Sequence, residues 1–459
     1  MTVTDAALSE SASPNDAPID VDLIRGWLAW GLGWLLLFAT LGGFVSTKLT
    51  YPTFLGDAAW FTYGRLRPIH VNGVIWGAFS TLFIGLCYYL VPRLTGRRVW
   101  GVRWGRALLW VWNVNLAAAV VLLALGWNRG WEMGEWPLVN VLVALVAIGL
   151  LTAQFLTTIT RRRDRPLHVS LCYLLVAFVW THVTLVLLVL APTRIPGLDN
   201  AAWHGLFVHY VVGLWITPAG YALIYYFLPT SVKSPIYSHR LARLGFWSLA
   251  LLYPFVTLDR YPGSPLAGLA ETTVIVSSIV LAVPTWTVLH NVVGTMSGRW
   301  RQLSENLPAR LLIVGALMHL VGTVQGSLEA FRSVQQTTHF TDFGVAHSHL
   351  TIFGTFVMWA LAGTIYVWSR LANDAALWSL RVGNWAFWLV TLGISAMALV
   401  LTAQGLQQGF MLMAGAEWVH SVDAIRPYWW VRTFTGFSIN VGLSLLVYTL
   451  MKTSLARPA

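Results

Sequence analysis

The sequence predicts an all-α bundle that crosses a membrane about twelve times. Of 459 residues, 57% are hydrophobic and 10% are charged, less than half the charged share of an ordinary soluble domain. Apolar runs of about twenty residues recur along the whole chain, each long enough to cross a hydrocarbon layer of roughly 30 Å as a helix. Arginine and lysine crowd every second connection, the pattern of loops on one side of a bilayer. The runs are continuously apolar rather than alternating, which excludes a transmembrane barrel.

The elements follow in order. Residues 1–24 are polar and acidic without an apolar core, and they read as a disordered tail rather than a cleaved signal peptide. Runs at 25–47 and 67–92 come next, and Arg93, Arg97, Arg98, Arg103 and Arg106 follow the second. Runs at 105–127 and 138–158 are followed by Arg161, Arg162, Arg163 and Arg165, and those at 169–191 and 205–229 by Lys233, Arg240 and Arg243. Runs at 240–258 and 268–291 lead to Arg299, Arg301 and Arg310. The last four, 310–333, 344–369, 380–404 and 432–452, carry Arg370, Arg381, Lys452 and Arg457 in their even-side connections.

These positions hold nineteen of the 29 basic residues. The formal charge of +11 is therefore a topology signal, not a nucleic-acid footprint. It predicts an inner (plasma) membrane protein with both termini cytoplasmic. Tryptophans such as Trp27, Trp100, Trp104, Trp127, Trp429 and Trp430 gather near run ends, as interfacial belts do. Cys87 and Cys172 lie inside apolar runs, so they form no disulfide framework, and no Cys-x-x-Cys-His attachment site for a c-type haem occurs. No internal repeat and no second soluble domain is evident. Residues 25–459 read as one membrane domain.

Topology makes some of the twelve histidines informative. His70, His204, His209, His347 and His349 fall near the outer starts of helices 2, 6 and 10. Neutral imidazole is a good ligand for iron and copper, and a histidine in hydrocarbon is costly unless it faces the interior with a partner. Two residues apart on a helix means about 200° of rotation, so His347 and His349 point to opposite faces. That spacing favours two cofactors flanking helix 10 over one shared metal. His182, His290 and His319 read instead as helix–helix hydrogen bonders. His168 and His239 read as solvated, and His204, His339 and His420 stay open.

Taken together, the residues resemble subunit I of the haem-copper oxidases, over nearly the whole chain from residue 25. The branch they resemble most is the C-type (cytochrome cbb) cytochrome c oxidases and the related nitric oxide reductases. The motifs are Gly64-Arg65-Leu66-Arg67-Pro68-Ile69-His70, Gly134-Glu135-Trp136-Pro137, Tyr225-Tyr226-Phe227-Leu228-Pro229, Pro235-Ile236-Tyr237-Ser238 and His347-Ser348-His349. The resemblance implies two haems, b-type by family habit. His70 and His349 would be the axial ligands of a low-spin haem, and His347 the proximal ligand of a high-spin haem. His209 would hold a second metal, copper in oxidases and non-haem iron in nitric oxide reductases. Glu135 matches an acid used with calcium near the haem propionates, against the plain reading of an interfacial carboxylate. Tyr237 and Ser238 match a proton path, against that of a polar helix end. Tyr253 matches the redox tyrosine linked to the helix 6 histidine.

The sequence departs from the family where the second metal is completed. The family ends helix 7 with adjacent histidines, and here Asp259 and Arg260 stand in that register. Gln325 replaces a glutamate near the open haem, with Glu329 one turn on. A site of His209, Asp259 and Glu329 would suit iron better than copper. Alternatively Asp259 and Arg260 pair with each other and no second metal binds.

The leading expectation is a respiratory reductase of dioxygen or nitric oxide, fed by a c-type cytochrome or a cupredoxin-like subunit. The rival is a dihaem electron-transfer or gas-binding membrane subunit without catalysis. A secondary transporter shares the helix number, but no related halves are visible.

Overall fold

A computed structural model describes residues 19–163, 166–256 and 268–455. The architecture is helical, with no strand among the described residues. We number the helices α1 Val21–Thr50, α2 Tyr63–Thr95, α3 Val102–Ala124, α4 Leu138–Thr160, α5 Val169–Leu190, α6 Gly197–Val232 and α7 His239–Leu252. The rest are α8 Glu271–Met296, α9 Leu307–Glu329, α10 Asp342–Leu371, α11 Leu380–Met413 and α12 Trp418–Leu455. Eleven are long and apolar enough to cross a membrane. The exception is α7, whose 14 residues pass into a 3₁₀ turn, Tyr253–Phe255. The predicted run 240–258 then enters 257–267, outside the described residues. α8 is interrupted at Leu281, because Pro284 offers no N–H to the preceding turn.

Five of the helix starts at the basic end are capped by side chains, α3 being the exception with Gly101 at its N-cap. Asp20, His168, Ser238, Asn306 and Ser379 accept bonds from backbone N–H groups in the first turns of α1, α5, α7, α9 and α11. Such caps satisfy donors that the helix leaves unpaired.

Three helices form the centre. α2, α6 and α10 are buried almost all round, while the others bury about half of their length and turn valine, leucine and tryptophan outward. In hydrocarbon that outward face is the apolar one. Indole N–H groups tie the layers: Trp215 donates to Ser80 Oγ (2.8 Å), Trp112 to Thr81 Oγ1 (3.0 Å) and Trp359 to the Leu312 carbonyl (3.0 Å).

Each central helix widens into a π-helical segment: Gly73–Phe79, Val211–Ile216 and His349–Val357. Their first residues are 138 positions apart in both intervals. The ring-bearing ends Tyr89, Tyr226 and Tyr366 recur at similar offsets. The three π segments thus recur at a constant spacing that the sequence reading did not disclose. π turns leave carbonyls to be satisfied, and buried hydroxyls do so: Ser80 Oγ donates to Ile75 O (2.8 Å) and Thr355 Oγ1 to Leu350 O (3.3 Å). Such segments occur often at functional sites. Here they adjoin His70, His209 and the His347/His349 pair.

Candidate functional site

The imidazoles of His70 and His349 face each other across the interface of α2 and α10. Their ring centres are 6.5 Å apart and their planes 24° from parallel. His70 Nδ1 lies 2.7 Å from Phe38 O on α1, and His349 Nδ1 lies 2.9 Å from Val345 O. A carbonyl partner requires Nδ1–H, which leaves Nε2 with its lone pair. This is the arrangement of a metal-ligating histidine whose second nitrogen is tied to backbone. Two metal–nitrogen bonds of about 2 Å, with about 1 Å from each nitrogen to its ring centre, separate two ring centres by roughly 6 Å. The observed spacing fits one metal ion between them. Gly42 makes room: a Cβ there would stand 2.5 Å from the His70 ring.

His347 goes elsewhere, as its spacing from His349 predicts. It lines a cavity of about 170 Å³ with His209 and Val212 of α6, Tyr253 beyond α7, Thr285 of α8, and His319 and Glu329 of α9. That is several times the roughly 30 Å³ share of one water. Gly326 lets α9 approach, since a Cβ there would sit 2.9 Å from the His347 ring. Tyr253 lies with its ring on Gly213, where a Cβ would stand 1.6 Å away. Gly213 is one helical turn after His209, so the phenol is held on the His209 side of α6.

The second-metal set is only partly visible. His209 and Glu329 share the cavity wall. Asp259 and Arg260 lie outside the described residues. Among the described residues no group of three histidine, cysteine or acidic side chains is arranged to hold a metal. Gln325 turns away, with Nε2 3.4 Å from Thr402 Oγ1 on α11.

Sequence reasoning missed two polar clusters, one at the cavity and one nearer the basic end, which Tyr221 and Tyr225 bring to one face of α6 as a polar file. Tyr221 Oη and His319 Nε2 are 2.8 Å apart, with Thr285 Oγ1 3.3 Å from each. Thr323 Oγ1 donates to Thr285 Oγ1 (3.2 Å). Further along, Asn291 Nδ2 donates to Tyr225 Oη (3.2 Å) and Asn291 Oδ1 accepts from the Ser238 backbone N–H (2.8 Å). His319 is thus a helix–helix hydrogen bonder, as read from its isolation, and also a cavity wall. Ser238 Oγ caps α7 through Leu241 N. Tyr237 stacks its ring on Gly294 and is exposed. The Asn291–Tyr225 contact does not involve the Tyr237 ring. Nothing in the sequence singles out Asn291, since isolated buried amides are common in such helices.

Glu135 sits in the connection between α3 and α4, 4% exposed, and accepts 2.5 Å from Asn72 Nδ2, two residues after His70. Burial pushes its carboxyl up to about 7, against the opposing pull of the Asn72 amide. The same loop ties Met133 O to Trp76 Nε1 (2.8 Å) and Glu132 to Arg67 (2.5 Å). At the start of α10, Asp342 pairs with Arg432 (3.5 Å) and accepts from Gln404.

Comparison with known proteins identifies a family and a fold. Residues 22–438 match the family model described as cytochrome C and quinol oxidase polypeptide I. The chain is 25% identical over 458 residues to the cbb3-type cytochrome c oxidase subunit CcoN1 of Stutzerimonas stutzeri, covering 95% of this chain and 96% of that one. It is 28% identical over 449 residues to a cytochrome c oxidase subunit 1 homolog of Agrobacterium tumefaciens (strain T37), covering 92% and 81%. A cytochrome c oxidase subunit 1 of Rhodobacter capsulatus is 29% identical over 421 residues, covering 86% and 78%. Among solved structures, a heme-copper terminal oxidase dimer superposes with a TM-score of 0.81 at 15% identity, covering 96% of this chain and 84% of the other. The likeness in fold is thus far stronger than the likeness in sequence.

Proposed function

The chain belongs to the family of cytochrome C and quinol oxidase polypeptide I, and from that premise we propose that its cavity is the gas-reducing centre of a terminal oxidase. Membership makes it a multi-pass membrane oxidoreductase of the haem-copper type, with haem as cofactor. The observation that carries the finer reading is the parallel His70–His349 pair beside a separate cavity that contains His347. The haems supply one-electron relay and an iron that binds gas. His70 and His349 would hold the relay group, and their backbone-tied Nδ1 atoms keep each ring fixed. His347 of α10 would hold the second group, and His209 and Tyr253 line the same cavity, where the gas would bind. The phenol of Tyr253 supplies a proton there. The file of His319, Tyr221, Tyr225 and Asn291 replenishes it from the basic end, which the charge asymmetry makes cytoplasmic.

Dioxygen is the favoured substrate, because Tyr253 lines the cavity and the relatives above are named cytochrome c oxidases. A c-type cytochrome is the corresponding electron donor. Glu329 supports a second reading: a carboxylate lining the same cavity as His209 suits non-haem iron, and with it nitric oxide. The test supplies reduced cytochrome c to the purified complex and follows dioxygen and nitric oxide with electrodes, while iron and copper per chain are counted apart from haem. Dioxygen uptake with copper present supports the first reading. Nitric oxide consumption with iron in excess of haem supports the second. Reversible haem reduction without turnover on either gas overturns both.

A further inference from the structure

The face of α3 and α4 that looks into the bilayer contains a groove of about 470 Å³. Trp104 and Val111 form one wall, Val146 and Leu150 the other, and the small residues Ala107 and Ala147 leave the space between them. The gap is braced at both ends. Asn115 and Asn140 bond each other reciprocally at 2.9–3.1 Å toward one end. At the basic end Gln154 Nε2 donates to Gly101 O (2.7 Å) and Thr158 Oγ1 accepts from Trp100 N (2.9 Å). With both ends pinned, the helices cannot close on the slot.

Where the slot reaches the basic end it meets cations. Arg103 lies one turn before Ala107 on the same face of α3, and Arg161 lies three turns beyond Leu150 along α4. The Arg161 guanidinium stands 6.0 Å over the Trp100 ring, and Trp100 packs edge-on to Trp104 at 5.3 Å. Arg106 is paired with Asp20 (3.3 Å), whereas neither Arg103 nor Arg161 pairs with a carboxylate among the described residues. Trp104 of the slot wall thus adjoins Trp100 and the Arg161 guanidinium, and Arg103 stands one turn below Ala107, both cations with charge to spare. That is the complement of a hydrocarbon chain joined to a phosphate.

We propose that this groove is a specific site for one anionic phospholipid of the leaflet on the basic side. An acyl chain lies between α3 and α4, and its phosphate sits between Arg103 and Arg161. A partner helix would cover the apolar walls equally well but would leave both guanidiniums without an anion.

The test is native mass spectrometry of the haem-loaded complex after exhaustive exchange into mild detergent. One phospholipid of phosphatidylglycerol or cardiolipin mass per chain is expected on the wild type. R103Q/R161Q removes the phosphate seat and keeps the slot, while Ala107→Phe fills the slot and keeps both arginines. Each should lower the retained lipid about tenfold or more, with an unchanged haem spectrum as the control for folding. Nanodiscs of phosphatidylglycerol should restore the adduct and those of phosphatidylcholine should not. Equal retention in wild type and variants, no lipid on the wild type, or a small polypeptide in its place would each overturn the proposal.

Discussion

The rings of His70 and His349 lie 6.5 Å apart and 24° from parallel, each with its Nδ1 tied to a backbone carbonyl. Two histidines in hydrocarbon that merely bonded to one another would bring their nitrogens within hydrogen-bond reach and leave no gap for a third body. The gap is the reason to expect a metal between them. His70→Ala should therefore abolish the low-spin absorption band and leave one haem of two, still anchored through His347. A variant that inserts, keeps both haems and shows the wild-type spectrum would reject the pair as ligands.

Tyr253 makes a second prediction through Gly213. A Cβ on Gly213 would overlap the Tyr253 ring at 1.6 Å, too close for side-chain adjustment alone. Gly213→Ala should displace the phenol at a cost of about 1–3 kcal/mol in packing. Turnover should fall while both haem bands persist. Tyr253→Phe keeps the ring in place and removes only the hydroxyl, and a loss of about a hundredfold in turnover is expected if the phenol supplies a proton. If Tyr253→Phe turns over at the wild-type rate while Gly213→Ala does not, the ring matters for shape and not for proton supply.

The contrast between those two residues shows what could be read from sequence. The helices were legible because twenty apolar residues in a row have few alternatives in a bilayer. His347 and His349 were legible as facing two places because helix geometry fixes the angle between them. The three π segments were not, since widening a turn depends on tertiary partners such as Ser80 and Trp215 rather than on residue type. Nor was the Asn291–Tyr225 contact, which joins residues 66 positions apart. The Asp259 and Arg260 register lies outside the described residues, and of the residues read as a second-metal set His209 and Glu329 line the cavity.

The polar file gives a prediction that separates electron from proton supply. Asn291 bridges the Ser238 backbone N–H and the Tyr225 hydroxyl. Asn291→Leu keeps the branched shape of the side chain and removes both contacts. Steady-state turnover should drop about tenfold or more, while reduction of the haems by the donor keeps its rate in stopped-flow. If haem reduction slows together with turnover, the substitution has disturbed packing, and the proton assignment loses its support.

His168 gives a prediction about pH. Its Nδ1 accepts 3.2 Å from Ser170 N and so caps α5, a role open only to neutral imidazole. Burial, with His239 nearby as the lesser cause, lowers its pKa to about 4 from the ordinary 6.5. Between those values the unfolded chain binds a proton that the folded chain refuses. The contribution of His168 is therefore complete above pH 6.5 and is lost as pH falls toward 4. His168→Asn retains a capping oxygen that does not titrate in this range. In detergent, the midpoint of thermal unfolding should fall between pH 7.5 and pH 5 more steeply for the wild type than for His168→Asn. Parallel slopes for the two proteins would mean that His168 accepts its proton in the folded state at the ordinary pH, and that its cap does not depend on neutrality.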